Sequence, residues 1–268
     1  MNKNIFFILF QGRSGSSYLK YVLDSHDRIL CKGEIFDVDK KIKMQQLANL
    51  INPAIKLTNN NKKFPIRLRR NSKYNSLSTL NVLEDLYNKE VSESVIASGF
   101  KFKYPNQLMI YPEVLNYLYE KKDKIKVILL IRNNPLKAVI SVKNMRKLHF
   151  SGEDVILKKD SKINLGKLHL DTKDIFLEIK QRQNEKNDME ILAECFKNVL
   201  KISYEELFYN RDETIEKILR FLEVPMSFNL KEQTRKITPD NIKDAVSNYD
   251  ELVKTLENTE FEKYLYEN

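Results

Sequence analysis

Cysteine is scarce: only Cys31 and Cys195 occur among 268 residues, which excludes a disulfide framework and fits a reducing, cytoplasmic setting. Neither has the company a metal site needs, so no metal ligand is assigned. Long apolar runs are also missing. The run at residues 5–10 (IFFILF) is too short to span a membrane, lacks a small-residue cleavage site after it, and leads straight into a glycine turn. It reads as a strand, and the chain as soluble, with no membrane span. The three histidines, His26, His149 and His169, fall in no recognisable motif, and a lone histidine is more often structural or exposed. Internal repeats and heptads are absent, which excludes solenoids and coiled coils.

What is present suits one enzyme-sized domain. With 42% apolar residues the chain buries a substantial core. The formal charge of +9 and the pI near 9.2 suit an anionic ligand, whether nucleic acid, acidic lipid or a phosphorylated small molecule. The Lys- and Asn-rich tracts at 59–63 and 121–126 read equally well as solvated faces.

Apolar strand-length runs alternate with helical spacing. Residues 5–10 form a continuous β-rich run, as in a strand buried on both faces of a parallel sheet. A glycine loop at 11–17 follows, and Tyr18, Leu19, Val22 and Leu23 recur at helical spacing over 16–23. Further extended segments are expected at 31–36, 95–102 and 199–203, and the clearest at Lys126–Ile131, closed by Arg132. Pro135 then opens a helix to about Leu148, and helices are expected near 212–222 and 242–257. The expected fold is α/β and three-layered, with a mostly parallel central sheet flanked by helices. Residues 1–268 read as one domain with a variable insertion at about 37–95. Within it, residues 52–80 are polar, with Arg67, Arg69 and Arg70 clustered as in an insertion or a cap over the site.

The loop QGRSGSSYL (11–19) sets Gly12, Gly15 and three hydroxyls between strand and helix. Such a loop exposes backbone N–H groups and the positive end of the helix dipole, which favour phosphate or sulfate. The same residues also fit a plain turn with a serine N-cap. The missing Gly-Lys-Ser/Thr counts against a nucleoside-triphosphate loop, and the dinucleotide GxGxxG is absent. A second anion-compatible pair, Arg132 and Ser141, stands at a strand end and well into the next helix. An ordinary strand end and a surface serine account for that pair equally well.

Taken together, these two segments resemble the PAPS-dependent sulfotransferases, whose donor is 3'-phosphoadenosine 5'-phosphosulfate (PAPS, leaving PAP). The basic residue, Ser, Gly and two hydroxyl residues of 13–17 are similar to the family's 5'-phosphosulfate loop. On that resemblance Arg13 stabilises the bridging oxygen, while Ser14, Gly15, Ser16 and Ser17 bind the 5'-phosphate. Arg132 and Ser141 would bind the 3'-phosphate. Their separation of nine positions, one wider than in most eukaryotic cytosolic members, looks like bacterial carbohydrate sulfotransferases of the trehalose and nodulation-factor type, as do Asn134 and Leu136. Weaker matches follow in order at 32–36, 99–105, 202–225 and 241–252, and place Tyr204 near the adenine. The family's C-terminal glycine-rich phosphate loop is not visible; Arg235 and Lys236 are weak substitutes.

The resemblance implies a P-loop-like sulfotransferase fold and an in-line, metal-independent transfer to an acceptor hydroxyl on a carbohydrate or other small alcohol. Lys103 stands where cytosolic members carry a histidine base, so Glu34 in KGEIF is the candidate general base, with Lys101 neutralising charge on the transferred group. The cation expected near Glu34 is Arg13. No nucleic-acid partner is expected; acceptor and oligomeric state are not legible. Two other classes stay open: a nucleotide-dependent kinase, which ATP with magnesium would stabilise, and a basic surface-binding protein using residues 59–73, whose binding would collapse with salt.

Overall fold

Strand β1 (Asn4–Gln11) is apolar from Ile5 to Phe10 because it is covered on both faces. Side chains alternate along a strand, so Ile5, Phe7 and Leu9 enter one core cluster while Phe6, Ile8 and Phe10 enter another. Four further strands, β2 (Ile29–Cys31), β3 (Ala97–Tyr104), β4 (Lys126–Ile131) and β5 (Asn198–Ser203), complete a five-stranded sheet of order β2-β3-β1-β4-β5. Every pairing is parallel, with Phe6 opposite Gly99 and Lys126. This computed structural model describes residues 3–35, 93–150, 166–226 and 238–267.

One face of the sheet is covered by helices α2 (Asn106–Ile110) and α3 (Pro112–Glu120) and by the C-terminal half of α5 (Ile175–Ala193), through Leu115, Leu118, Met189 and Leu192. The other face is covered by α1 (Ser16–Asp24), α6 (Tyr204–Tyr209) and α7 (Arg211–Phe221), through Leu19, Leu23, Leu207 and Ile218. Helix α4 (Pro135–Phe150) packs with the N-terminal half of α5, with α8 (Ile242–Ala245), α9 (Tyr249–Leu256) and the 3-10 turn Glu262–Leu265. The helix after β1 and the helix after the adjacent β4 therefore leave toward different layers. That divergence makes the carboxyl edge between β1 and β4 a switch point, the place where open parallel sheets bind their ligands.

The three-layer parallel fold read from the sequence is the one found, with β4 at its expected bounds. The second segment forms a strand only to Cys31, and the third is shifted to Ala97–Tyr104. The helix expected at 242–257 is two helices. Val246, extended at φ −118° and ψ 130°, breaks it by bridging to Leu168, and Asn248 locks the break by bonding both the N–H and the C=O of Leu170. Helices α2, α3, α5 and α6 were not expected. The insertion at 37–95 (its last three residues apart), the basic stretch at 59–73, Arg235 and Lys236 lie outside the described residues.

Candidate anion-binding site at the sheet edge

The loop after β1 turns through two left-handed residues, Arg13 at φ 71° and Gly15 at φ 83°. Gly15, not a serine, is the N-cap of α1, and no side chain caps the helix. Leu19 N–H is the first to bond back, onto Gly15 O at 3.0 Å, so the amides of the first turn, Ser16 to Tyr18, have no intrahelical acceptor. Ser14 Oγ is buried without a hydrogen-bond partner among the described residues. A buried, partnerless hydroxyl beside a helix start is a feature that an anion satisfies.

Two successive carbonyls of this loop are held by arginines from elsewhere. Arg132 Nη1 donates to Arg13 O at 3.0 Å, and Arg182 Nη1 donates to Gly12 O at 3.2 Å. Arg13 Nε donates to Ser141 Oγ at 3.0 Å, so the two segments singled out in the sequence meet in space. Arg132 is 7% exposed, its Nε lacks a partner among the described residues, and its guanidinium lies 4.4 Å from the Tyr204 ring centroid. Tyr204 in turn packs on Gly15: a Cβ there would stand 2.9 Å from Tyr204 Cδ2. The tyrosine is thus wedged between the loop and Arg132.

The supports of these residues are local and explicable. Ser203 and Glu206 form a capping box that starts α6 at Tyr204. The Glu205 carboxylate accepts from the N–H groups of Asn133 and Asn134 at the entrance to α4. Asn134 Oδ1 accepts from Lys137 N, and Asn134 Nδ2 donates to Tyr264 O and Glu267 O, which ties the turn to the C-terminal segment.

On the β3 side, Lys101 Nζ donates to Ser17 Oγ at 3.2 Å and to Glu34 Oε1 at 3.3 Å, and sits 4.9 Å from the Phe10 ring centroid. The cation in reach of Glu34 is therefore Lys101, where the sequence pointed to Arg13. Burial holds the Lys101 ammonium below the usual lysine range, opposed by Glu34. Burial likewise depresses Arg13, with Arg132 adding to the effect, and Arg132, Arg182 and Lys137 are lowered first by burial as well. Cations are expensive to desolvate without partners. Five of them lie along this edge, with Glu34, Glu178, Glu185 and Glu205 the neighbouring acids, an arrangement that favours an anionic ligand.

All of the sequence-derived candidates fall at this edge: Arg13 to Ser17, Glu34, Lys101, Arg132, Ser141 and Tyr204. Arg182 was missed; its only sequence signal is a basic residue in a polar stretch. His26 is structural, its Nδ1 accepting from Arg28 N and its Nε2 bonded to Pro225 O, while His149 and His169 are exposed. A separate open cleft of about 570 Å³ lies beside Asn133, Lys186, Lys201, Glu205 and Tyr209, and no residue of the loop lines it. Among the described residues no acidic, histidine and cysteine group is arranged to hold a metal, and no helix is long and apolar enough to cross a membrane.

The chain is similar to several solved sulfotransferases. One from Alicyclobacillus acidocaldarius is 14% identical, with TM-score 0.49 over 100% of this chain and 98% of that one. The sulfotransferase domain from the curacin biosynthetic pathway is 17% identical, with TM-score 0.46 over 85% and 76%. A mouse sulfotransferase complexed with PAP is 15% identical, with TM-score 0.42 over 99% and 87%. No curated protein matches the sequence. A model of the Sulfotransferase family matches residues 6–228, a span that runs from β1 past α7 and takes in both arginine-bearing turns, and on that match this chain belongs to the sulfotransferase family.

Proposed function

We propose that this chain transfers a sulfuryl group from PAPS to the hydroxyl of a carbohydrate or other small alcohol. The observation that carries the reading is the Arg132 to Arg13 contact. Two anion-attracting turns 119 residues apart in sequence are in hydrogen-bond contact, which suits one nucleotide bearing phosphates at both ends. The residues present fit such a ligand: a buried Ser14 Oγ and an Arg132 Nε without partners among the described residues, a helix start that no side chain caps, and several buried cations.

In this reading the amides and hydroxyls of Ser14 to Ser17 hold the 5'-phosphate, Arg132 and Ser141 hold the 3'-phosphate, and Tyr204 offers its ring near the base. Sulfuryl transfer should resemble phosphoryl transfer, an in-line displacement through a loose transition state in which the protein mainly positions and neutralises charge. Arg13 then faces the charge that grows on the leaving oxygen. Lys101, fixed by Ser17 and Glu34, neutralises the transferred group, and Glu34 takes the acceptor proton. No step calls for a metal. The whole chain acts as one domain, residues 37–95 shape the acceptor side, and the spacing of Arg132 and Ser141 favours a bacterial-type carbohydrate acceptor.

Isothermal titration of PAP into wild type and Arg132→Ala at moderate salt tests the reading. Micromolar binding is expected, weakened in the variant by about 1.5–3 kcal/mol or more, the size of a lost hydrogen bond to a charged group. Absence of binding to wild type sinks it.

A further inference from the structure

Arg182 belongs to no motif of the sequence and lies in the polar middle of α5, yet it is held against the anion loop by several contacts. Its Nη1 donates to Gly12 O at 3.2 Å. Glu185 stands 3.7 Å away, fixed by Gln11 Nε2 at 2.6 Å and Gln181 Nε2 at 2.9 Å. Gln11 also donates to Arg182 O at 3.2 Å. A guanidinium has five N–H donors, and most of these have no partner among the described residues. The side chain is 18% exposed, so the guanidinium is sheltered without being sealed from solvent.

Across Gly12 stands a second cation. The Lys103 ammonium would lie 3.8 Å from a Cβ on Gly12, so Lys103 from β3 and Arg182 from α5 flank the beginning of the loop. The helix amides and serine hydroxyls occupy its other end. A donor whose phosphate sits at the helix start can extend its next anionic group toward Gly12. We propose that Arg182, with Lys103 opposite, binds the sulfuryl oxygens of the donor, as a further catalytic residue of the transfer. The assignment rests on the PAPS reading above.

The rival is a strut that merely braces Gly12. Arg182→Gln keeps a donor for Gly12 O and loses the charge, whereas Arg182→Lys keeps the charge. Affinities for PAPS and for PAP, which lacks the sulfuryl group, are measured without acceptor. Arg182→Gln is expected to weaken PAPS about tenfold or more while PAP changes less than about threefold, and Arg182→Lys to fall between Gln and wild type for PAPS. Equal loss of both ligands in Arg182→Gln, or no loss of PAPS, overturns the assignment and leaves the PAPS reading standing. Wild type that binds neither ligand removes both.

Discussion

Gly15 is the residue at which the loop has least freedom. It combines a left-handed backbone with a tyrosine ring where a side chain would begin. An alanine there costs about 1–2 kcal/mol in backbone strain alone and pushes Tyr204 off Arg132. Gly15→Ala is expected to lower Tm by about 2–8 °C and to lose PAP binding, and adding Tyr204→Ala should recover part of the Tm but not the binding. Thermal melts and titrations of the three variants check this. Thiol chemistry gives a second residue-scale outcome. Burial, with Asp24 adding to it, pushes the Cys31 thiol up to about 12. A raised thiol pKa means less thiolate at any given pH, roughly one part in ten thousand at pH 8. Cys195, partly exposed and without so large a rise, should take up the first equivalent of a disulfide reagent at pH 8, and Cys31 only as the protein unfolds. Arg13 and Arg132 were legible in the sequence because each belongs to a turn whose chemistry is local, and Ser141 only through its spacing from Arg132. Arg182 was not, because its role depends on α5 lying against a loop 170 residues away.

At the scale of elements, the buried strands announced themselves because a strand covered on both faces is apolar throughout, and β1 and β4 are. Helix α5 did not, for a related reason. Its first half packs into the α4, α8 and α9 cluster and its second half onto the sheet, so no one apolar stripe runs its length, and the polar middle that separates the halves carries Arg182. Helix α6 shows how a short element governs the site. Its six residues include Tyr204 against Arg132 and Glu205 at the entrance to α4. Removing the capping box with Ser203→Ala is expected to cost about 1 kcal/mol and to weaken PAP binding as well, because both contacts hang on that first turn. The same cap lost elsewhere would lower Tm without touching affinity, and comparing the two readouts on this variant tells whether α6 has the coupling described.

For the molecule as a whole, a ligand that fills the edge should stabilise the fold it binds. At about a hundred times its dissociation constant PAP would add about 2.7 kcal/mol, a rise in Tm of roughly 5–10 °C. Arg132→Ala at the same PAP concentration should show little of that rise. With a formal charge of +9, the rise should also shrink as salt is added at fixed PAP, since screening weakens an anion's attraction to the edge.

The strand order carries one more consequence, about how the chain is made. The central position belongs to β1, but both of its neighbours, β3 and β4, come later, β3 from Ala97 and β4 from Lys126. During synthesis the segment IFFILF therefore leaves the ribosome on the order of ten seconds before either partner exists. For that interval it is an uncharged, β-prone stretch with open edges on both sides, the kind of sequence that self-associates or recruits a chaperone. The residues that later seat the anion loop at the middle of the sheet are thus, in the nascent protein, its principal hazard.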